Sequence, residues 1–228
     1  MDVSGDLDEP PVCEQCGLVL ELVPDRAGEH LAVRLDCLLH GPQLMWTPFG
    51  DDAERGRPSM EWSRAGLQAA GFKGFVSFAK LKAAKVPPDP GIYVVLRPST
   101  SVPEFVERTV AGDHHGRDQS VPVSLLREKW VPDAEVVYIG KANARKPRPG
   151  RAAPRPALRT RLAEYRRLGE GKDSPHRGGL YIWQLADYDD LLVGWKTLPD
   201  EFVKAEETRL IAEFVKTYGR RPFANRKD

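Results

Sequence analysis

Three cysteines and one histidine form the first grouping able to do chemistry: Cys13-x2-Cys16, then Cys37-x2-His40. Two close pairs of soft or borderline donors suit a tetrahedral zinc ion. Cys3His is a structural ligand set, because four protein ligands leave no position open to substrate. Gly17 relieves the crowded backbone after the first pair. His30 is a substitute ligand at a poorer spacing, and the competing reading is three reduced thiols beside an incidental histidine. A Cys13–Cys16 disulfide does not suit the cytoplasmic chain argued for below. The elements that must position the ligands are two short strands, Leu18 to Val23 and Leu31 to Leu35, with the turn chemistry of Pro24-Asp25-Arg26-Ala27-Gly28 between them. Such a zinc-ribbon-like hairpin is too small to fold on apolar burial alone, so the metal would staple it.

A second grouping is electrostatic. The net charge is only +1, yet between Lys141 and Lys172 stand Lys141, Arg145, Lys146, Arg148, Arg151, Arg155, Arg159, Arg161, Arg166, Arg167 and Lys172, opposed by Glu164 and Glu170 alone. Such a block is either a solvated face or the footprint of a polyanionic partner. Arg145, Lys146, Arg148, Arg151 and Arg155 lie in the Pro- and Arg-rich part of it and are the candidates for phosphate contacts. His176, in Ser174-Pro175-His176-Arg177-Gly178-Gly179, either approaches a nucleic-acid backbone or caps a turn before an expected strand from Leu180 to Leu185.

A third grouping is carried by strands. Gly91-Ile92-Tyr93-Val94-Val95-Leu96 and Glu135-Val136-Val137-Tyr138-Ile139-Gly140-Lys141 each place a tyrosine in a β-rich apolar run, and each alone reads as ordinary strand aromatics. Taken as a pair, Gly91-Ile92-Tyr93 and Tyr138-Ile139-Gly140 resemble the signature that names the GIY-YIG nucleases. Tyr138 to Ala142 is similar to the corresponding stretch of the excision-repair nuclease subunit. Leu158 to Tyr165 resembles the family helix with its arginine and, four residues on, a histidine or tyrosine. Glu206 to Ile211 resembles the helix carrying the metal-binding glutamate, and Pro222-Phe223-Ala224-Asn225 the closing motif with its asparagine. The match runs in order over residues 91–228.

The resemblance implies an α/β domain with a small central sheet flanked by helices, and phosphodiester hydrolysis with one Mg2+ or Mn2+ per site. Mg2+ prefers oxygen ligands and keeps several waters, so one carboxylate can hold it. Glu207 is that carboxylate by family spacing; Glu206, about 100° round the helix, should face elsewhere. Tyr93 becomes the general base. A phenol has a pKa of about 10, so Lys141, Arg161 and the metal are expected to lower it. Tyr138 positions water or the scissile phosphate, Arg161 stabilises charge on the phosphate, and Tyr165 shares its helix face one turn on. Asn225 orients the glutamate or a backbone segment. Two departures stand out. Arg97 to Ala134, carrying His114-His115, replaces a short hairpin, and Ala144 to Ala157 is a second insertion; both lie where substrate contacts could be added.

The 228 residues suit one sizeable domain and one small one. The expected division is 1–45 zinc ribbon, 46–90 linker and short helices packing on the next domain, and 91–228 nuclease domain. Within the linker, Ser63 to Ala70 suits a short helix ended by Gly71, and Phe72, Phe75, Val76 and Phe78 a packing patch. No apolar run approaches the roughly 20 residues of a membrane span, and the acidic N-terminus argues against a secretory signal; a cytoplasmic location is expected. The reading is therefore a DNA endonuclease, first in restriction or host defence, with repair, mobile-element or RNA-directed roles next. A zinc-ribbon binding module whose nuclease domain has lost activity is the rival. Cutting both strands of a palindromic site suggests a homodimer on DNA.

Overall fold

The computed structural model describes the backbone of residues 21–27, 30–37 and 41–46, and residues 60–226 apart from 112, 114, 115, 145–154 and 177. The chain divides into two compact units, Met1–Pro58 and Ser59–Asp228.

The first unit holds three antiparallel strands, β1 (Glu21–Ala27), β2 (His30–Cys37) and β3 (Gly41–Trp46), in that order across the sheet. The expected turn at 24–28 is instead largely strand: Pro24 lies opposite Val33 and Arg26 opposite Leu31. Proline is tolerated there because β1 is an edge strand, where a missing N–H breaks no ladder. Gly41–Trp46, for which no strand is expected, forms the third strand. Cys37 closes β2 opposite Gly41. Cys13, Cys16 and His40, and with them the zinc site, lie outside the described residues.

The second unit is a four-stranded antiparallel sheet of order β4-β7-β5-β6, with helices on both faces. The strands are β4 (Lys73–Ser77), β5 (Gly91–Leu96), β6 (Val136–Ala142) and β7 (Leu192–Thr197). The helices are α1 (Arg64–Ala69), α2 (Val123–Lys129), α3 (Ala157–Gly169) and α4 (Asp200–Tyr218). All six residues of β5 are buried, as a central strand covered on both sides requires. Its side chains alternate between two cores. Tyr93 and Val95 join Leu158, Leu162 and Tyr165 of α3; Ile92, Val94 and Leu96 join Val203, Leu210 and Phe214 of α4 and Leu67 of α1. The segment read as a connector thus supplies more than short helices. Its apolar patch is β4, hydrogen-bonded to β7, followed by a 3-10 helix at Phe78–Lys82. The helix at its start is capped by the Ser63 hydroxyl, which accepts from Gly66 N, and ends at Gly71 with φ 89°.

Local chemistry explains the two long helices. α4 begins with Asp200 and Glu201 and ends with Lys216 and a left-handed Gly219, matching its dipole at both ends. α3 has no side-chain cap. Its first N–H groups donate instead to carbonyls of the segment that leads into β5, Ala157 N to Pro88 O at 2.6 Å and Leu158 N to Asp89 O at 3.1 Å. Among the described residues no helix is long and apolar enough to cross a membrane.

Candidate active site

The two signature strands are neighbours. Tyr93 on β5 lies opposite Gly140 on β6, and Val95 opposite Tyr138. Tyr93 and Tyr138 therefore share a face, with ring centroids 5.9 Å apart. Tyr165 of α3 closes the group, 6.3 Å from Tyr93 and 5.7 Å from Tyr138. This close approach explains the second signature glycine: a Cβ on Gly140 would lie 2.5 Å from Tyr93 Cζ and 2.8 Å from Tyr138 Cε1. The first has a comparable reason, since a Cβ on Gly91 would meet Lys196 O of β7 at 2.1 Å.

The hydroxyl of Tyr93 is buried and makes no hydrogen bond of good geometry, although Tyr138 and Arg161 lie close enough to couple with it. Burial pushes the Tyr93 phenol well above its ordinary pKa, Tyr138 adds to the rise, and Arg161 only partly offsets it. The expected depression is thus reversed in the protein chain: desolvation outweighs the one nearby cation. Lys141, expected to help, is committed elsewhere. Tyr138 is also raised, again first by burial, with Arg161 lowering it and the Glu207 charge raising it. Burial opposes the charge of Arg161, but the two phenols and Glu164 outweigh it and hold the guanidinium above its usual value.

Lys141 and Glu207 form an ion pair. β6 pairs Lys141 with Ile92, so the lysine lies toward α4 rather than toward the tyrosines. Glu207 is half-buried and Glu206, one residue back, belongs to another network: it takes Arg209 at 2.8 Å and Lys196 at 3.6 Å. Burial raises the Glu206 carboxyl, but Arg209 and Lys196 outweigh it and leave it below the ordinary value. The two adjacent glutamates do face different partners.

Asn225 acts on backbone, not on the glutamate. Its side chain accepts from Ile139 N at 3.0 Å and donates to Ile139 O at 2.8 Å, and Ala224 N donates to Val137 O at 2.8 Å. β6 is an edge strand, so these bonds satisfy the outward groups of Ile139 and Val137 that no neighbouring strand meets. Val137 is the extra residue of a bulge, since Val95 pairs with Tyr138 and Leu96 with Val136.

Two other expectations are corrected. His176 is fully buried and stacks on Tyr165 at 3.9 Å and 12°, so it is placed inside the aromatic cluster and not where it could touch a nucleic-acid backbone. Leu180–Gln184 is a 3-10 helix, not a strand. Gly179 ahead of it has φ 67°, which turns the chain, and its carbonyl accepts from the Tyr165 hydroxyl at 2.7 Å.

Two contributors escaped the sequence reading. Glu164 sits between Arg161 at 3.7 Å and Arg155 at 3.6 Å; its place three residues after Arg161 was the available signal. Gln184 is 1 % exposed. It accepts from Val121 N at 2.8 Å and donates to Val121 O at 2.9 Å and Val106 O at 3.1 Å, fastening the long 97–134 stretch to the 3-10 helix. Arg145, Lys146, Arg148 and Arg151, and His114-His115, lie outside the described residues. Among those described, no group of three or more His, Cys, Asp or Glu gathers to hold a metal.

Compared with protein-family models, curated proteins and solved structures, the chain finds no match in any of the three.

Proposed function

We propose that the chain is a metal-dependent endonuclease of the GIY-YIG type that hydrolyses phosphodiester bonds in DNA, in restriction or host defence. The observation that carries this reading is the convergence of Tyr93, Tyr138 and Arg161 on one face of two adjacent strands, with Tyr138 also within the field of Glu207. Once substrate opens the cluster over the buried Tyr93, Tyr93 and Tyr138 would offer hydroxyls to a phosphate or its attacking water, and Arg161 would answer the negative charge that builds on the phosphate oxygens. At neutral pH the Tyr93 oxygen holds its proton, so it orients water as a donor until Arg161 and the bound substrate favour the phenolate. Asn225 keeps β6 in register and Tyr165 fixes the Gly179 turn, so both position rather than react.

Glu207 is the residue that would hold Mg2+ or Mn2+. A single half-buried carboxylate suits an ion that keeps most of its waters; in the structure it takes the ammonium of Lys141, which the ion would have to displace. Bound there, the ion would neutralise phosphate charge and acidify water. Zinc on Cys13, Cys16, Cys37 and His40 belongs to the same proposal as a structural staple, as does a homodimer on DNA for double-strand cleavage.

Supercoiled plasmid and a labelled RNA, each incubated with Mg2+ or Mn2+ and with an EDTA control, test the reading. Nicked or linear DNA in metal only, abolished by Glu207→Gln, is the expected result. Metal-dependent cleavage of RNA alone would move the substrate class. Binding without any cleavage would leave a nucleic-acid-binding module in place of an enzyme.

A further inference from the structure

Away from the tyrosines, the far end of α3 and the 3-10 helix Phe78–Lys82 enclose an open concavity of about 770 Å³ lined by Ala79, Lys82, Arg166, Arg167, Glu170 and Lys172. Four of the six are cations and one is an acid. Glu170 takes both Arg166 and Lys172, so one carboxylate serves two cations, while Lys82 and Arg167 form no ion pair among the described residues. Cations in the last turn of a helix are ordinarily explained by its dipole. That account covers Arg166 and Arg167; Lys82 also ends a helix, but a 3-10 helix of five residues about 80 residues earlier in the chain, whose dipole is small. Like charges brought together in a hollow repel one another, and concave walls concentrate their field. Such a hollow is suited to an anion with several charges.

The walls are fixed. Phe78 packs edge-on against Tyr165 at 5.2 Å and lies 4.7 Å from Trp183, and Leu81 is buried. Arg159 Nε donates to Val86 O at 3.0 Å, and the start of α3 is bonded to Pro88 and Asp89. Lys172 N donates to Arg167 O at 3.0 Å, which holds the last cation beside the helix end. The 3-10 helix therefore cannot swing away from α3 without breaking core contacts.

We propose that this groove is a second polyphosphate site, taking the sugar-phosphate backbone of a nucleic acid at a distance from the bond that is cut. The assignment rests on the nuclease reading for its choice of nucleic acid, while the groove itself rests on its own charges. Arg161 and Arg167 are on one helix, six residues or roughly 9 Å of rise and about 120° of rotation apart, so a strand engaged at Arg161 would have to pass around α3 to reach the groove.

The test measures equilibrium binding of the full chain, with Glu207→Gln to prevent cleavage, to a labelled DNA duplex, a single-stranded RNA and inorganic tripolyphosphate over a range of salt. The triple variant Lys82→Glu, Arg167→Glu, Lys172→Glu should weaken duplex binding at least tenfold. Its log–log salt slope should be shallower by about 0.9 for each phosphate that is no longer neutralised. The neutral variant Lys82→Gln with Arg167→Gln should show a smaller loss in the same direction, and Lys216→Glu, an exposed cation on α4, no loss. Thermal melts identify any variant that fails to fold, and the neutral pair then decides. Groove-dependent binding of tripolyphosphate alone, with duplex and RNA unbound, would make the source a free polyphosphate and overturn the nucleic-acid assignment. Unchanged affinity and slope in the groove variants, or no binding of any probe by the parent chain, would overturn the groove. Groove-dependent duplex binding in a wild-type chain that never cleaves would sink the nuclease reading and leave the groove standing.

Discussion

The two faces of the β5–β6 pair are built on opposite electrostatic plans. Toward α3 the strands present phenols: Tyr93 and Tyr138 join Tyr165 in a buried cluster where all three pKa values are raised, first by desolvation. Toward α4 they meet charge: Lys141 pairs with Glu207, and Lys196 of β7 with Glu206. Strand alternation makes this division, because opposed residues share a face and successive ones do not. A face of buried phenols and a face of ion-paired carboxylates would stay apart in the middle of a wide sheet. β6 is an edge strand, and there the two faces meet: Tyr138 feels both Arg161 and Glu207. A site that needs a phenol and a carboxylate metal ligand together can therefore be assembled at this edge.

The charged face gives the largest expected effect. Glu207→Gln keeps the shape and removes the charge that would hold the metal, so cleavage should fall by at least about a thousandfold, the scale of losing a major transition-state contribution. Glu206→Gln should change cleavage less than tenfold and show instead as a lower melting temperature, because Arg209 and Lys196 lose their shared acid. The inverse pattern in steady-state assays would mean that the metal ligand has been assigned one residue too late.

The phenolic face gives the next. Tyr93→Phe should lower kcat by about a hundredfold, within the usual range for a positioned acid–base group, with little change in folding because its hydroxyl makes no good hydrogen bond. The raised pKa sets the pH profile. Below the unfolded value of about 10 the phenol is protonated in both states. The folded chain favours the protonated form, so its stability is intact there and is lost progressively as pH climbs from about 10 toward the higher folded value. Activity that requires the phenolate should therefore rise steadily from pH 7 until the fold gives way above about pH 10. A flat profile over pH 7–9 in the wild type would remove Tyr93 from proton transfer.

How much of this is legible in the sequence differs between the faces for a physical reason. The strands β5 and β6 are readable because a β-rich apolar run is a local property, whereas the helix around Arg161 and the helix of Glu207 are expected from the family resemblance. The chain from Leu180 to Gln184 reads as a strand but is not one, because every residue in it is buried, and so short a run, apolar except for Gln184, carries no period to separate strand from helix. β4 is hidden in an apolar patch for the same reason, and its pairing with β7, more than a hundred residues later, leaves no local trace. The burial of His176 is equally invisible, since its ring stacking on Tyr165 depends on how the 174–179 turn folds back. The direction of the Tyr93 shift is hidden because the sequence displays nearby cations but not the depth of burial.

Asn225 sharpens the comparison from the edge itself. Asn225→Ala would strip partners from both the N–H and the carbonyl of Ile139. Each buried unsatisfied group costs about 1–3 kcal/mol, so the chain should lose roughly that per group, less whatever water recovers. Since β6 carries Tyr138 to one face and Lys141 to the other, both halves of the site should loosen together. Amide exchange should quicken across Val137 to Lys141 and leave β4 protected. Equal exchange in wild type and variant would show that β6 does not depend on this clamp.

The smallest effect should come from Gly140→Ala, and it is confined to one face. The added methyl would sit 2.5 Å from Tyr93 Cζ and 2.6 Å from its hydroxyl, closer than any real carbon tolerates, and the obstruction is an aromatic ring buried on every side. Ring and strand must shift by about an ångström between them. Overpacking of this kind costs typically about 1–3 kcal/mol. The shift is directed at Tyr93 and Tyr138 and leaves the α4 side, with Glu207 and Lys141, in place. Cleavage should accordingly fall while binding of Mn2+ at Glu207 is preserved, a separation that titration calorimetry beside a nicking assay can read. Should metal binding and cleavage decline in parallel, the two faces would not be independent supports of one edge, and the division drawn between them would have to be given up.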